Sequence, residues 1–209
     1  MKFIAHFLLL AAVAGGGVAA AQTAQPAVHE AGTLRVGLWT LWHDKQVSIS
    51  PVHGSGASLR ICANCTATPL KQTMQVQADG DRVSLSEKQQ AESVSLTGAV
   101  ALTAHGESLT LHYPIRISAR KGELVLAVTL PVETYVERVV ASESGAADSR
   151  ESLKALAIVV RSFALHEKHG HADYDVCDST HCQLLHWGGG SGRAPAAHVA
   201  TLTTAGETL

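Results

Sequence analysis

The stretch YVERVVASESGAADSRESLKALAIVVRSFALHEKHG, residues 135–170, decides the fold of this chain. Its first apolar residues recur at helical spacing, and they follow Pro131, a residue that suits the first position of a helix. The sequence SGAA at 144–147 interrupts this pattern, and Glu143 stands at the joint. The spacing therefore predicts a helix that starts at Pro131 and ends beside a single carboxylate.

A second helix is predicted after the break. Asp148 can cap its start, because Glu151 follows three residues later, and Gly170 can end it. Apolar residues occur nearly all round this helix, which predicts that it is buried. Its apolar stripe consists of Leu153, Leu156, Ala157, Val160 and Ala164, and it is widened by Ile158, Val159 and Leu165.

The residues before the helices alternate between apolar and polar with a period of two, from Leu34 to about Thr129. The alternating segments are LRVGLW, QVSIS, MQVQ, RVSLS, SVSLTG, LTLHY, IRIS and ELVLAV. Turn residues separate them, and a hairpin is predicted to turn at Lys121–Gly122. Short antiparallel strands, then a helical pair and a Cys/His-rich loop, predict an α+β fold.

The composition argues against nucleic-acid binding. The net charge is −2 with 16% charged residues, whereas a nucleic-acid binder needs a basic surface. Aromatic residues make up only 4% of the chain, too few for a platform that stacks bases. The 209 residues and an apolar fraction of 46% fit one domain with its own core.

The N-terminus has the features of a secretory signal peptide. Met1–Lys2 gives a positive start, an apolar run follows, and Ala19–Ala21 forms a cleavage site. We therefore predict a signal peptide at 1–21, a linker at 22–32 and the domain at 33–209. The mature protein is expected to be exported, periplasmic or associated with the cell wall, with no membrane span after cleavage.

Glu143 is the sharpest single candidate for chemistry. Between apolar helical segments its carboxyl is expected to be desolvated, which favours a proton donor near neutral pH. The alternative is a helix-terminal glutamate that pairs with Lys154 or Arg161. These two cations lie seven residues apart on one helix face, and they either orient Glu143 or form structural ion pairs.

The cysteines leave several arrangements open. Cys62 and Cys65 form the motif CANC, and Cys177 and Cys182 lie in DVCDSTHCQ. In an exported protein the four cysteines are expected to form two disulfides. The disulfides either join the two cysteines within each motif or cross between the two motifs. A redox role for CANC is disfavoured, because no βαβ pattern surrounds it.

The run LPVETYVERVVASE…ESLKALAIVVRSFAL resembles the SpoIID/LytB family, which includes stage II sporulation protein D and amidase enhancers. The segment DVCDSTHCQ resembles a further stretch of that family. The matching positions are Leu130, Pro131, Glu133, Tyr135, Val139, Val140, Glu143, Leu153, Lys154, Ala155, Ala157, Arg161 and Ala164. This chain departs from the family pattern at Arg138, at Ser144–Gly145 and at Leu156.

The resemblance implies that Glu143 is the catalytic acid of a peptidoglycan lytic transglycosylase. Such an enzyme cleaves the bond between N-acetylmuramic acid and N-acetylglucosamine, preferably in peptide-free glycan strands, and leaves 1,6-anhydro ends. The alternative is a glycan-binding module that stimulates a cell-wall amidase without cutting glycan.

The resemblance also implies roles for other residues. Lys154 and Arg161 would bind lactyl or N-acetyl groups, Gln183 would contact a sugar amide, and Tyr135 is either a sugar contact or part of the core. Some relatives hold zinc near the active site, which implies a zinc site whose ligands are His171, Cys177 and Cys182, with His181 as the rival ligand.

The same resemblance predicts that the domain is incomplete at its C-terminal end. In the family, further strands follow the segment that resembles AAHVATLTTAGETL. We therefore expect an unpaired strand edge near Thr201–Leu209.

Overall fold

The structure is a computed structural model that describes residues 32–86, 89–166, 170–188 and 194–209. The predicted signal peptide at 1–21 lies outside the described residues, as does nearly all of the predicted linker at 22–32. Among the described helices, none has the length and apolar character that a membrane span requires.

The described strands form two sheets. The strands of the first sheet are β1 (Thr33–Leu38), β3 (Ser58–Arg60), β4 (Thr68–Pro69), β8 (Ser93–Thr97), β11 (Ile115–Arg120), β12 (Glu123–Pro131) and β13 (Val176–Cys177). The strands of the second sheet are β2 (Gln46–Pro51), β5 (Met74–Asp79), β6 (Arg82–Ser86), β7 (Gln89–Ala91), β9 (Val100–Ala104) and β10 (Glu107–Leu111). The first sheet has the order β13-β1-β12-β11-β8-β3-β4, and the second has the order β10-β9-β2-β5-β6-β7. All pairs are antiparallel except β1 with β13, which is parallel.

The period-two pattern correctly predicted the strands of five or more residues except β9, which none of the predicted segments covers. In β11, for example, Ile115, Ile117 and Ala119 are buried, while the residues between them are exposed or half-buried. The predicted hairpin at Lys121–Gly122 is confirmed: Arg120 pairs with Glu123, and both turn residues have positive φ. This is the turn geometry that suits the twist of a two-residue hairpin.

The apolar faces of the two sheets meet in one hydrophobic core. Strands β5 and β6 of the second sheet pack against β11 and β12 of the first. Val76 and Val83 of the second sheet and Ile117 and Val128 of the first have no exposed surface. The chain passes from the first sheet to the second through residues 39–45, between β1 and β2.

Three helices are described: α1 (Val132–Glu143) and α2 (Arg150–His166) follow β12, and α3 (Ala194–Thr203) follows β13. Helix α1 continues directly from β12, so Pro131 occupies the position before the first helical residue rather than the first position. Its buried residues are Val132, Tyr135, Val136, Val139 and Val140, which join it to the core. The predicted α+β fold is confirmed.

Helix α2 differs from its prediction at its start and on its surface. Ser149 caps the helix through its Oγ, which accepts the N–H of Ser152 at 3.2 Å, whereas Asp148 accepts the N–H of Gly145. One face is solvent-exposed, because Val159 and Leu165 are about half exposed at 48% and 50%. The prediction of a helix buried nearly all round is therefore wrong. The predicted end at Gly170 is not described, since 167–169 lie outside the described residues.

The predicted unpaired strand edge at Thr201–Leu209 is also wrong. Residues 194–203 form α3, which packs against both α1 and α2. After α3 the chain hydrogen-bonds to α2: the N–H of Leu209 donates to the Oγ of Ser162 at 2.8 Å.

Candidate active site

Glu143 is the last residue of α1, and its side chain is exposed. The backbone N–H of Leu184 donates to its Oε1 at 2.9 Å, which fixes one oxygen of the carboxylate. The expected desolvation of this carboxyl is wrong, because the last turn of α1 points it towards solvent instead of into the core. The carboxyl is therefore both held and accessible.

Residues 183–187, the docked segment, lie along the C-terminal half of α1. Besides the contact of Leu184 with Glu143, the N–H of His186 donates to the Oγ of Ser142 at 3.0 Å. Leu185 is buried in the core, and its packing there anchors the segment. The docked segment forms one side of the site around Glu143.

Tyr135 of α1 and Gln183 of the docked segment form a buried contact between these two elements. Both are buried, and the hydroxyl of Tyr135 donates to Oε1 of Gln183 at 3.0 Å. Burial raises the pKa of Tyr135, and the nearby charge of Glu143 raises it further, so the phenol keeps its proton and acts as the donor. The side chain of Tyr135 has no exposed surface, which agrees with a place in the core and gives no support to a direct sugar contact. Gln183 has its carbonyl oxygen engaged by Tyr135.

Arg138 of α1 contacts Trp187, the last residue of the docked segment. The guanidinium carbon of Arg138 lies 6.0 Å from the ring centroid of Trp187, and its Nη1 donates to the Trp187 carbonyl at 3.4 Å. A cation over an indole face is attracted by the ring's electrons. Arg138, one of the departures from the family pattern, thus helps to hold this segment against α1.

Asp178 joins the docked segment to the end of β1, and sequence reasoning assigned it no role. Its Oδ2 accepts the Nε1–H of Trp187 at 3.0 Å and the backbone N–H of Trp39 at 2.7 Å. Its Oδ1 accepts the hydroxyl of Thr40 at 2.9 Å. The signal was available, because Asp178 lies in DVCDSTHCQ, which resembles the family.

Arg161 forms a buried ion pair with Glu133. The guanidinium is 1% exposed and donates through Nη2 and Nε to the two carboxylate oxygens at 2.6 and 2.9 Å. Its Nη1 also donates to the Glu207 carbonyl at 3.0 Å. Because the protein covers its surface, the structure gives no support to a direct glycan contact by Arg161. The contact with Glu133 agrees with the alternative, a structural ion pair.

Lys154 is paired within α2. Its Nζ lies 2.9 Å from Oε1 of Glu151, in the first turn of the helix. Such an exposed pair contributes little to stability. It contacts Glu151 rather than Glu143, so the structure gives no support to an orienting role.

The predicted metal ligands lie together. The ligand atoms of His171, Cys177 and Cys182 are all within 4.8 Å of one another, and His181 is not part of this group. The two cysteines form a disulfide, as do Cys62 and Cys65, so both described pairs are local rather than crossed. Ligand atoms around a tetrahedral zinc lie about 3.3–3.8 Å apart, from the usual Zn–N and Zn–S distances. The three residues fit zinc only with this disulfide reduced, because zinc binds thiolates.

Glu143 is thus a carboxylate at the end of a helix, exposed to solvent and oriented by a backbone N–H. A carboxylate in such a position can serve as a general acid and base.

Residues 120–209 match the family model described as SpoIID, stage II sporulation protein. The resemblance to the SpoIID/LytB family is thus confirmed for the part of the chain that holds the three described helices and Glu143, and it indicates a function related to the cell wall. No curated protein and no solved structure matches the chain significantly.

Proposed function

We propose that this protein is a peptidoglycan lytic transglycosylase in which Glu143 cleaves glycan strands. The observation that carries the proposal is the placement of Glu143, exposed at the end of α1 and oriented by the N–H of Leu184. The substrate proposed is the bond between N-acetylmuramic acid and N-acetylglucosamine, preferably in strands without peptides.

The first half of the reaction needs a proton donor. Because Oε1 of Glu143 accepts the N–H of Leu184, the proton of the acid form lies on Oε2. A glycan strand over the exposed carboxyl would exclude water, which favours the neutral, proton-donating form. Oε2 then gives its proton to the glycosidic oxygen, and the bond from C1 of the muramyl residue to that oxygen breaks.

The second half uses the same residue as a base. The carboxylate of Glu143 takes the proton of the muramyl C6 hydroxyl, and O6 bonds to C1. The product is a 1,6-anhydro sugar, no water is consumed, and Glu143 is protonated again. Because the nucleophile belongs to the substrate, a second carboxylate, which a glycosidase normally requires, is unnecessary.

The alternative function is an enhancer that binds glycan for a cell-wall amidase without cleaving it. One observation favours this alternative: the side chain of Glu143 is exposed in the free protein, whereas active sites that cleave bonds usually exclude water. Digestion of peptide-free strands, with mass analysis of the products, separates the two. Anhydro-muramyl ends support the enzyme, hydrated reducing ends indicate a hydrolase, and uncut strands in the bound fraction support the enhancer.

We propose that the protein acts after export, in the periplasm or the cell wall. The proposal rests on the predicted signal peptide at 1–21. N-terminal sequencing of the exported protein should start at Gln22. A first residue at Met1 would contradict cleavage.

We further propose that reduction of the Cys177–Cys182 disulfide lets these thiolates and His171 hold zinc. A zinc ion would supply a Lewis acid to polarise an acetamido oxygen of the sugar. The protein, purified under reducing conditions, should contain about one zinc per chain, and His171→Ala should lose it. Metal-free protein whose cysteines remain as free thiols would contradict the site. A matched control is His181→Ala, which should keep its zinc.

A further inference from the structure

Arg138 is a half-buried cation beside the docked segment. Of the arginines that the structure describes, three are buried or half-buried: Arg35, Arg138 and Arg161. Arg35 pairs with Asp175 at 2.7 Å, and Arg161 pairs with Glu133 at 2.6 Å. Arg138 contacts Trp187 instead, and among the described residues it meets no carboxylate at ion-pair distance. Because a charge that is partly removed from water is stabilised by an opposite charge, Arg138 lacks the partner that the other two arginines have.

The contacts of Arg138 leave most of its donors available. Its Nη1 donates to the carbonyl of Trp187 at 3.4 Å, which is longer than a typical N–H···O bond, and its guanidinium lies 6.0 Å from the ring centroid. A guanidinium presents several N–H donors in a planar fork. The carboxylate of Asp178 also contacts this indole, but its two oxygens already accept donors from Trp39, Thr40 and Trp187. Arg138 can therefore bind an anion that comes from a ligand.

Arg138 and Glu143 face the same part of the chain. Glu143 accepts the N–H of Leu184 near the start of the docked segment, and Arg138 contacts Trp187 at its end. Both residues belong to α1, where five positions correspond to about 7.5 Å along the helix axis. A ligand that lies along the docked segment with its reacting bond at Glu143 therefore reaches Arg138.

A muramyl residue carries an anion that would fit Arg138. Its lactyl group ends in a free carboxylate when the strand has no peptide, whereas an attached peptide converts that carboxylate into a neutral amide. The lactyl group is bonded through O3 to the same ring whose C1 carries the bond to be cleaved, so the two groups are separated by the width of one sugar ring. A planar guanidinium binds a carboxylate through two parallel N–H···O bonds.

We propose that Arg138 is a specificity-determining residue, which binds the lactyl carboxylate of the muramyl ring at Glu143 and thereby selects strands without peptides. The identity of the ligand rests on the proposed function. The family resemblance implied a lactyl contact for Lys154 and Arg161, but both are paired with glutamates. Arg138 departs from the family pattern, so the resemblance does not imply this contact.

The test measures binding to the Glu143→Gln protein (the parent), which separates binding from turnover. The ligand is a tetrasaccharide of alternating N-acetylglucosamine and N-acetylmuramic acid. One form has free lactyl carboxylates, and in the other form these groups are neutral methylamides. The parent should bind the carboxylate form about 10-fold more tightly, which is the contribution of one charge-assisted hydrogen bond. The preference should decrease at high salt, because ions screen the attraction.

Substitutions in the parent assign the preference to one residue. Arg138→Gln should bind the two forms within about 2-fold of each other, because it has lost the charge. Arg138→Lys should keep part of the preference, because lysine keeps the charge but not the planar fork. The matched control is Arg60→Gln, which removes the same charge from an exposed position on β3 and should keep the full preference. A preference that persists in Arg138→Gln would overturn the proposal, as would an equal loss of affinity for both forms, which a purely structural role predicts.

The parent alone can also overturn the proposal, whether or not the variants fold. Equal affinity for the two forms, or binding of neither form, would do so. Digestion of peptide-free strands by the wild-type protein tests the reaction separately. If strands are cleaved but the parent binds both forms equally, only the assignment of Arg138 is wrong. If the parent prefers the carboxylate form and Arg138→Gln loses that preference, but nothing is cleaved, only the proposed reaction is wrong.

Discussion

The ion pair of Arg161 with Glu133 offers a quantitative test of the structure. Glu133→Gln keeps the shape of the side chain but removes the charge that faces a guanidinium with 1% exposed surface. Arg161 would keep its hydrogen bonds to the carbonyls of Ala157 and Glu207, but not its counter-charge. The folded state should therefore lose stability without losing its shape.

The magnitude follows from the burial of the two partners. Breaking a fully buried ion pair by removing one partner costs about 3–5 kcal/mol. Here the side chain of Glu133 is 39% exposed, so water screens part of the interaction and the expected loss is smaller. We expect about 2 kcal/mol, which for a domain of this size lowers the melting temperature by about 4–8 °C.

Thermal unfolding followed by circular dichroism measures this loss. The matched control is Glu151→Gln, which removes the partner of Lys154 at a carboxylate that is 81% exposed. That control should change stability by less than about 0.5 kcal/mol. A Glu133→Gln protein that melts within about 1 °C of wild type would refute the reasoning, as would an equal loss in Glu151→Gln.

Three further changes test other parts of the site. Tyr135→Phe leaves the buried carbonyl of Gln183 without its donor and should cost about 1–3 kcal/mol in urea unfolding; no loss would contradict the hydrogen bond. Asp178→Asn places an amide N–H₂ against N–H and O–H donors and should cost about 2–4 kcal/mol. The control Asp173→Asn removes only an ion pair with Arg120, whose side chain is 55% exposed, and should cost under about 1 kcal/mol. Because burial raises the pKa of Asp44, its protonation stabilises the fold below the unfolded value of about 3.9, and this stabilisation is lost as the pH rises through the folded value. Asp44→Asn should therefore melt higher relative to wild type at pH 7 than at pH 3, and a difference independent of pH would contradict this.

Most of the fold could be predicted from the sequence, because period-two alternation and helical spacing depend mainly on residues that are close together in the chain. An alternation of apolar and polar residues fits a strand with one buried face, so the strands around Ile117 were predicted correctly. The short strands, such as Ser58–Arg60 and Thr68–Pro69, were missed because they contain too few residues for a period. Helix α3 was missed as well, because its residues have no amphipathic pattern and it is held by packing against α1 and α2.

The site was harder to predict, because burial depends on partners distant in the sequence. Arg161 and Lys154 look alike on a helical wheel, yet only the first meets Glu133 from α1 and becomes buried. Glu143 was expected among apolar residues, but the sequence does not give the direction of the last helical turn. The contact between Asp44 and His105 could not be predicted, because the two residues lie in different connections between strands.

The central claim is that Glu143 is both the acid and the base of glycan cleavage. The most direct test compares wild type, Glu143→Gln and the control Glu151→Gln on peptide-free glycan strands, with mass analysis of anhydro-muramyl ends over time. The account predicts that Glu143→Gln folds normally but forms these ends about 10²–10⁴ times more slowly, while Glu151→Gln matches wild type. A well-folded Glu143→Gln protein that forms anhydro ends at the wild-type rate would contradict it.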